Sequence, residues 1–138
     1  MYRKKKVNEK VDASKSKVEP EKKQEPQQGG EIKMKFHHVG IPTTVKRDKE
    51  IYLEGAKLYV TDVADSEHKI EWLRFEAGSP MPEVLKTTAH VAYQVDDVAK
   101  AMEGKTCLLE PFNPAPGVTV GFILDDGAPI EYMSVEEK

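Results

Sequence analysis

"TTAHVAYQVDDVAKAMEG", residues 87–104, is the stretch on which the fold turns. "TTAHVAYQV" alternates as a strand does, with His90, Ala92 and Gln94 on one face and Val91, Tyr93 and Val95 on the other. "DDVAKAMEG" then changes period. Asp96 or Asp97 is placed to cap a helix, Val98, Ala101 and Met102 form its apolar stripe, and Gly104 is a natural stop. A strand histidine therefore runs straight into an Asp-capped helix.

Working toward the C-terminus, "KTCLLEPF" reads as a strand that ends at "NPAPG". "VTVGFIL" and "IEYMSV" are two more strands around an Asp-Gly hairpin turn in "DDGAP". Ile130, Tyr132 and Ser134 lie opposite Glu131, Met133 and Val135. From residue 88 the order is β-α-β-β-β.

Working back, "KMKFHHVGI", 33–41, is a strand, and "KRDKEIYL", 46–53, holds at most a short helix. "AKLYVTDV" is a strand with Leu58, Val60 and Asp62 on one face, and "ADSEH" is a turn. In "KIEWLRFEA" Ile70, Trp72 and Arg74 face one way and Glu71, Leu73 and Phe75 the other. "GSPMPEVLK" reads as a connection with two prolines.

The two halves can be laid over each other. "FHHVGI" matches "TAHVAY", each with His before Val, and "HKIEWLRF" matches "APIEYMSV", each with Ile-Glu-aromatic opening its final strand. The match selects His38 rather than His37, which alternation sends to the opposite face. It also isolates four polar residues inside strands: His38, Glu71, His90 and Glu131. Singly, each has an ordinary reading as a hydrogen-bonded core histidine or a solvated strand glutamate. Together they suggest more. Two buried carboxylates would each cost several kcal/mol and would repel each other. A divalent cation removes both costs. Two imidazoles and two carboxylates form an N2O2 set that suits Zn, Ni, Co, Mn or Fe, with room for water or a substrate.

The totals fit one domain and a tail: 138 residues, 38% hydrophobic and 33% charged. Residues 1–30 carry net +4 and the rest −7, which together give −3. The first 30 residues are rich in Lys, Glu, Gln, Pro and Ser and are expected to be a disordered basic tail, with the folded domain at 31–138. "KKK" at 4–6 is too short and too diluted by Glu to indicate nucleic acid or a membrane surface as partner. The N-terminus lacks the apolar segment of a secretory signal, and no apolar run approaches the roughly 20 residues of a membrane span. The single cysteine, Cys107, allows no intrachain disulfide, which suits a cytoplasmic location. In "TCLL" it is expected to be a small buried hydrophobe rather than a nucleophile.

On "HHVGIP", "KIEWLRFEAGSP", "TAHVAYQVDDVAKAM" and "DDGAPIEYM", residues 33–135 resemble the vicinal oxygen chelate superfamily, which includes glyoxalase I, methylmalonyl-CoA epimerase, bleomycin-resistance proteins and extradiol dioxygenases. The resemblance implies an α+β fold in which two βαβββ modules form a cupped mixed sheet around a metal. The first and last strands of each module supply one ligand. By that resemblance His38 and Glu71 come from the first module and His90 and Glu131 from the second. The His/Glu/His/Glu set is similar to that of glyoxalase I. The chain departs from the pattern in its first half, where 33 positions separate His38 and Glu71 against 41 between His90 and Glu131, so the first module's helix is shortened.

The resemblance further implies a metal-dependent isomerase, epimerase or lyase that chelates a small oxygenated substrate through two neighbouring oxygens. Glu131 or Glu71 would be metal ligand and proton shuttle together, with Glu131 favoured because its module is complete. Tyr93, Tyr132, Trp72 and Arg74 are candidates for the pocket wall, although each also reads as core or surface. A homodimer is expected. The competing expectation is a small-molecule binding protein of the bleomycin-resistance type, which sequesters a drug without catalysis and typically lacks the ligands.

Overall fold

The computed structural model describes residues 33–136, and the expected tail, 1–30, lies outside them. Strand β5, His90–Gln94, buries His90 and Ala92, as the alternation requires. The Asp97 side chain accepts a hydrogen bond from Lys100 N at 3.1 Å and opens the helix Val98–Met102. This helix sits against the convex face of the sheet, with Val98, Ala101 and Met102 buried. Its close approach depends on Gly121, where a Cβ would stand 2.5 Å from Met102 Sδ and 3.1 Å from Val98 Cγ1. Strands β6, Thr106–Ala115, β7, Val118–Asp125, and β8, Ala128–Val135, follow as an antiparallel run. Asp126 and Gly127 turn the last hairpin with φ of 52° and 89°, the left-handed pair of a type I′ turn. Strand β8 then returns beside β5 in parallel, with Ala92 opposite Glu131.

The preceding residues form β1, Lys35–Pro42, β2, Ile51–Leu53, β3, Leu58–Val60, and β4, Ile70–Phe75. Strand β1 pairs in parallel with β4 and antiparallel with β5. The result is one eight-stranded mixed sheet in the order β2-β3-β4-β1-β5-β8-β7-β6. Ile51 and Leu53 of one edge strand line the same cavity as Phe112 and Ala115 of the other, so the sheet is curled into a cup. The core follows its concave face in two clusters, Ala56, Leu58, Val60 and Leu73 on one side and Leu85, Val120, Phe122 and Met133 on the other. All of this is formed within one chain. Among the described residues no helix is long and apolar enough to cross a membrane.

Several local expectations are corrected. No helix forms at 46–53. Tyr52 instead pairs across strands with Tyr59, ring centroids 4.7 Å apart, and Glu50 is held by Arg74 in a two-pronged bond of 2.8 and 2.6 Å. These cross-strand contacts outweigh a marginal helix of eight residues. Asp62 is not a strand residue. Its carboxylate accepts from Ala64 N at 2.9 Å and caps a 3₁₀ turn, Val63–Asp65. The proline-bounded connection contains a one-turn helix, Glu83–Thr87 (α1; Val98–Met102 is α2), and its Leu85 is only 2% exposed. Strand β6 does not end at Phe112 but runs on to Ala115, where Asn113 Nδ2 donates to Val118 O at 2.8 Å and secures the pairing. Cys107 is exposed rather than buried, because β6 is an edge strand.

Candidate metal centre

The four sequence-selected residues converge. His38 of β1, Glu71 of β4, His90 of β5 and Glu131 of β8 each offer a ligand atom, and these atoms lie within 4.8 Å of one another. The register explains why. Gly40 pairs with Glu71 on one side and His90 on the other, while Ala92 pairs with Glu131 on one side and His38 on the other. Central strands therefore bring all four Cα atoms into neighbouring rows, and alternation turns the side chains into the cup. Glu131, His38 and His90 are buried, and Glu71 keeps about a fifth of its side chain exposed.

His90 Nε2 is hydrogen-bonded to Glu131 Oε1 at 2.9 Å. His38 Nε2 lies 3.2 Å from Glu71 Oε1 and 3.4 Å from Glu131 Oε1. It is buried, yet its alignment makes a hydrogen bond with neither. Burial opposes protonation of His38, but the carboxylates of Glu131 and Glu71 outweigh it and raise its pKa to about 9. Burial likewise pushes Glu131 up, but His38 and His90 prevail and hold it at about 2. The centre thus gathers negative charge around a proton-bearing imidazole with a poorly satisfied nitrogen. Ligands on opposite sides of a metal at about 2.2 Å are about 4.4 Å apart, so closing from 4.8 Å needs only a few tenths of an ångström. The donor set fits: these four residues could hold a metal ion.

His37 does not face the other side of the sheet. Between Phe36 and His38, β1 advances two residues while β5 advances one, from Tyr93 to Ala92. This bulge swings His37 into the cup, where its Nδ1 lies 2.8 Å from His38 Nδ1. Burial and the neighbouring His38 both lower the pKa of His37, which favours the neutral form that accepts this bond. His38 then donates from Nδ1 and keeps Nε2 directed at the centre. His90 has no such partner. Its Nδ1 is buried without a hydrogen bond, and packing positions the ring, edge-on to Phe122 at 5.2 Å between centroids.

Trp72, Arg74, Tyr93 and Tyr132 do not line this cup; strand alternation sends them to the convex face. Arg74 is bound to Glu50 and stacks over Tyr59 at 4.2 Å. The wall consists instead of apolar residues such as Leu73, Val120, Phe122 and Met133. Their place was available in the alternation of "KIEWLRFEA", "VTVGFIL" and "IEYMSV", which puts Leu73 on the face of Glu71, Met133 on the face of Glu131, and Val120 and Phe122 together on one face of β7. The bulge at His37 left no comparable signal.

No protein-family model and no curated protein matches the chain. Its structure is similar to the crystal structure of hypothetical protein BH1468 from Bacillus halodurans C-125, with 21% identity, a TM-score of 0.58, and coverage of 76% of this chain and 96% of that one. At that identity the likeness is one of fold.

Proposed function

We propose that the protein is a metal-dependent isomerase, epimerase or lyase of the vicinal oxygen chelate type, acting on a small substrate that presents two neighbouring oxygens. The observation that carries this reading is the convergence of His38, Glu71, His90 and Glu131 at the floor of one cup. The topology supports it. Residues 90–135 run β5-α2-β6-β7-β8, residues 35–75 run β1-β2-β3-β4 without the helix, and the sheet order is mirrored about the β1–β5 contact. On this reading these are two βαβββ modules, the first shortened, and each gives a ligand from its first and last strand. The ligand set suits Zn, Ni, Co, Mn or Fe. A homodimer belongs to the reading by resemblance, although one chain supplies all four ligands.

A bound divalent ion would supply Lewis-acid stabilisation of an oxyanion developing on the substrate. The chain's own residues divide the remaining work. Glu131 is buried and tied to His90, which suits a fixed ligand and makes it a weak base. Glu71 is partly exposed and its one close imidazole contact, to His38, is 3.2 Å long. We assign Glu71 as the group that moves a proton between adjacent substrate carbons. The apolar wall excludes water from that transfer.

Elemental analysis of the full chain, purified without added metal and after reloading, tests the reading. About one equivalent of a divalent ion, lost in His38→Ala and Glu131→Ala while the circular dichroism spectrum is kept, is the expected result. A folded protein that takes up no metal under either condition would overturn it.

A further inference from the structure

The cup that ends on the four ligands has a volume of about 270 Å³. Among the described residues its lining holds no Lys, Arg, Asp, Ser, Thr or Asn; apart from the four candidate ligands and His37, every described lining residue is apolar. Phe75, Phe112 and Phe122 supply aromatic surface, and Ile51, 51% exposed, marks the mouth. The two arginines nearest in sequence are engaged elsewhere. Arg74 is bound to Glu50, and the Arg47 guanidinium lies 4.1 Å over the ring of Trp72 on the opposite face. A divalent ion with two carboxylates and two neutral imidazoles leaves no net charge at the floor.

We infer that the substrate is uncharged beyond its chelating oxygens and carries an apolar, ring-sized body, rather than a phosphate, a distal carboxylate or a nucleotide-bearing thioester. This rests on the metal-dependent reading above. Away from the floor, an anionic group in this cup would lose its water and meet no cation among the described residues, with the His37 imidazole as its one side-chain donor, which costs several kcal/mol for an unpaired ion. An apolar body gains from the same wall. Cavities of about 150 Å³ hold a benzene molecule, so this one takes a ligand of roughly ten to fifteen non-hydrogen atoms. Its enclosing apolar wall, and the four polar residues gathered together, fit a small molecule better than a second copy or a peptide.

Calorimetric titration of the metal-loaded chain with benzohydroxamic acid and with 4-carboxybenzohydroxamic acid tests the class. Both offer the same pair of neighbouring oxygens, and only the second brings a distal carboxylate. The neutral compound is expected to bind at least tenfold more tightly. Equal or tighter binding of the carboxylate overturns the substrate class while leaving the metal centre standing. In the metal-free chain, the fluorescent dye 2-naphthol is compared with 6-hydroxy-2-naphthalenesulfonate, which shares its ring system and adds a sulfonate. Tighter binding of the neutral dye is expected, and the reverse order, or no binding of either, overturns the inference even where no metal is taken up. Benzohydroxamic acid should displace the neutral dye from the loaded protein; a dye that stays bound at saturation would place it outside the cup and count against the proposal.

Discussion

The imidazole of His90 occupies the space that a side chain at Gly40 would fill. The two residues are paired across β1 and β5, and a Cβ at position 40 would stand 2.5 Å from His90 Nε2 and 2.9 Å from Nδ1. His90 makes no hydrogen bond through Nδ1, so this bare stretch of backbone and Phe122 orient the ring together with the hydrogen bond from Nε2 to Glu131. The glycine of "HHVGI" is therefore a part of the candidate metal centre although it carries no donor.

Gly40→Ala should displace the ring rather than the strand, because both strands are central and held on both sides. The expected cost is about 1–3 kcal/mol in stability, as for an overpacked core. Metal affinity should fall at least tenfold. Thermal unfolding with and without metal checks both parts. A variant that keeps wild-type affinity would show that the His90 ring is free to move.

His37→Ala should weaken metal binding about 10- to 100-fold, the usual cost of losing a partner that orients a ligating histidine. His37 is half-buried, so unfolding midpoints of the metal-free protein should change little. Competition with a chromophoric chelator measures the affinity. Unchanged affinity would mean that the 2.8 Å contact between the two Nδ1 atoms does not fix His38.

The pattern of residues made the four candidate ligands legible because central strands of a curled sheet obey strict alternation. His38, Glu71, His90 and Glu131 share a face, and a misplacement by one residue would have broken the match between halves. Residue 37 escaped for the same reason in reverse: a bulge suspends alternation locally, and two adjacent histidines look alike from either side of it. Cys107 reads as buried from its apolar neighbours, which do not reveal that β6 is an edge strand. Helix α1 was hidden by its prolines. It is a single turn stabilised by burying Leu85, which is tertiary packing rather than helical preference. Residue type alone points to Trp72, Arg74, Tyr93 and Tyr132 as pocket wall. Their alternation, opposite Glu71 and Glu131 or out of step with His90, already placed them outside.

Metal uptake should release a proton. His38 in the metal-free protein is raised to about 9, and a ligand must be deprotonated at Nε2. Apparent affinity should rise close to tenfold per pH unit from 7 to about 8.5 and level off above about 9, once metal hydrolysis and buffer binding are corrected for. The same group sets a stability trend without metal. Its raised pKa contributes stability that is complete below the unfolded value of 6.5 and lost as pH rises through about 9. Glu131, held at about 2, contributes stability present above its ordinary 4.5 and lost as pH falls through about 2. The metal-free protein should therefore show its highest melting temperature, as far as this pair is concerned, between about pH 4.5 and 6.5. A metal affinity that does not vary between pH 7 and 8.5 would contradict the assignment of the proton to His38.

The two carboxylates should separate when each is removed from the metal-free protein near pH 6. Glu131→Ala takes from His90 Nε2 its hydrogen-bond partner among the described residues, and from a buried, protonated His38 one of two counter-charges. Breaking a buried pair in this way costs about 3–5 kcal/mol, because the surviving charge is left without compensation. Glu71→Ala removes a partly exposed group at 3.2 Å from His38, and water can enter where the side chain stood, so about 1 kcal/mol or less is expected. Adding metal should reverse the contrast in function: both variants lose affinity, but Glu71→Gln, which keeps the shape and an oxygen donor while removing the base, should retain more metal than activity. Urea unfolding of the stripped proteins and elemental analysis of the loaded ones measure the two effects. Equal destabilisation by the two alanine variants would show that Glu131 is not the buried anchor of the centre, and full proton-transfer activity in Glu71→Gln would move the base to Glu131.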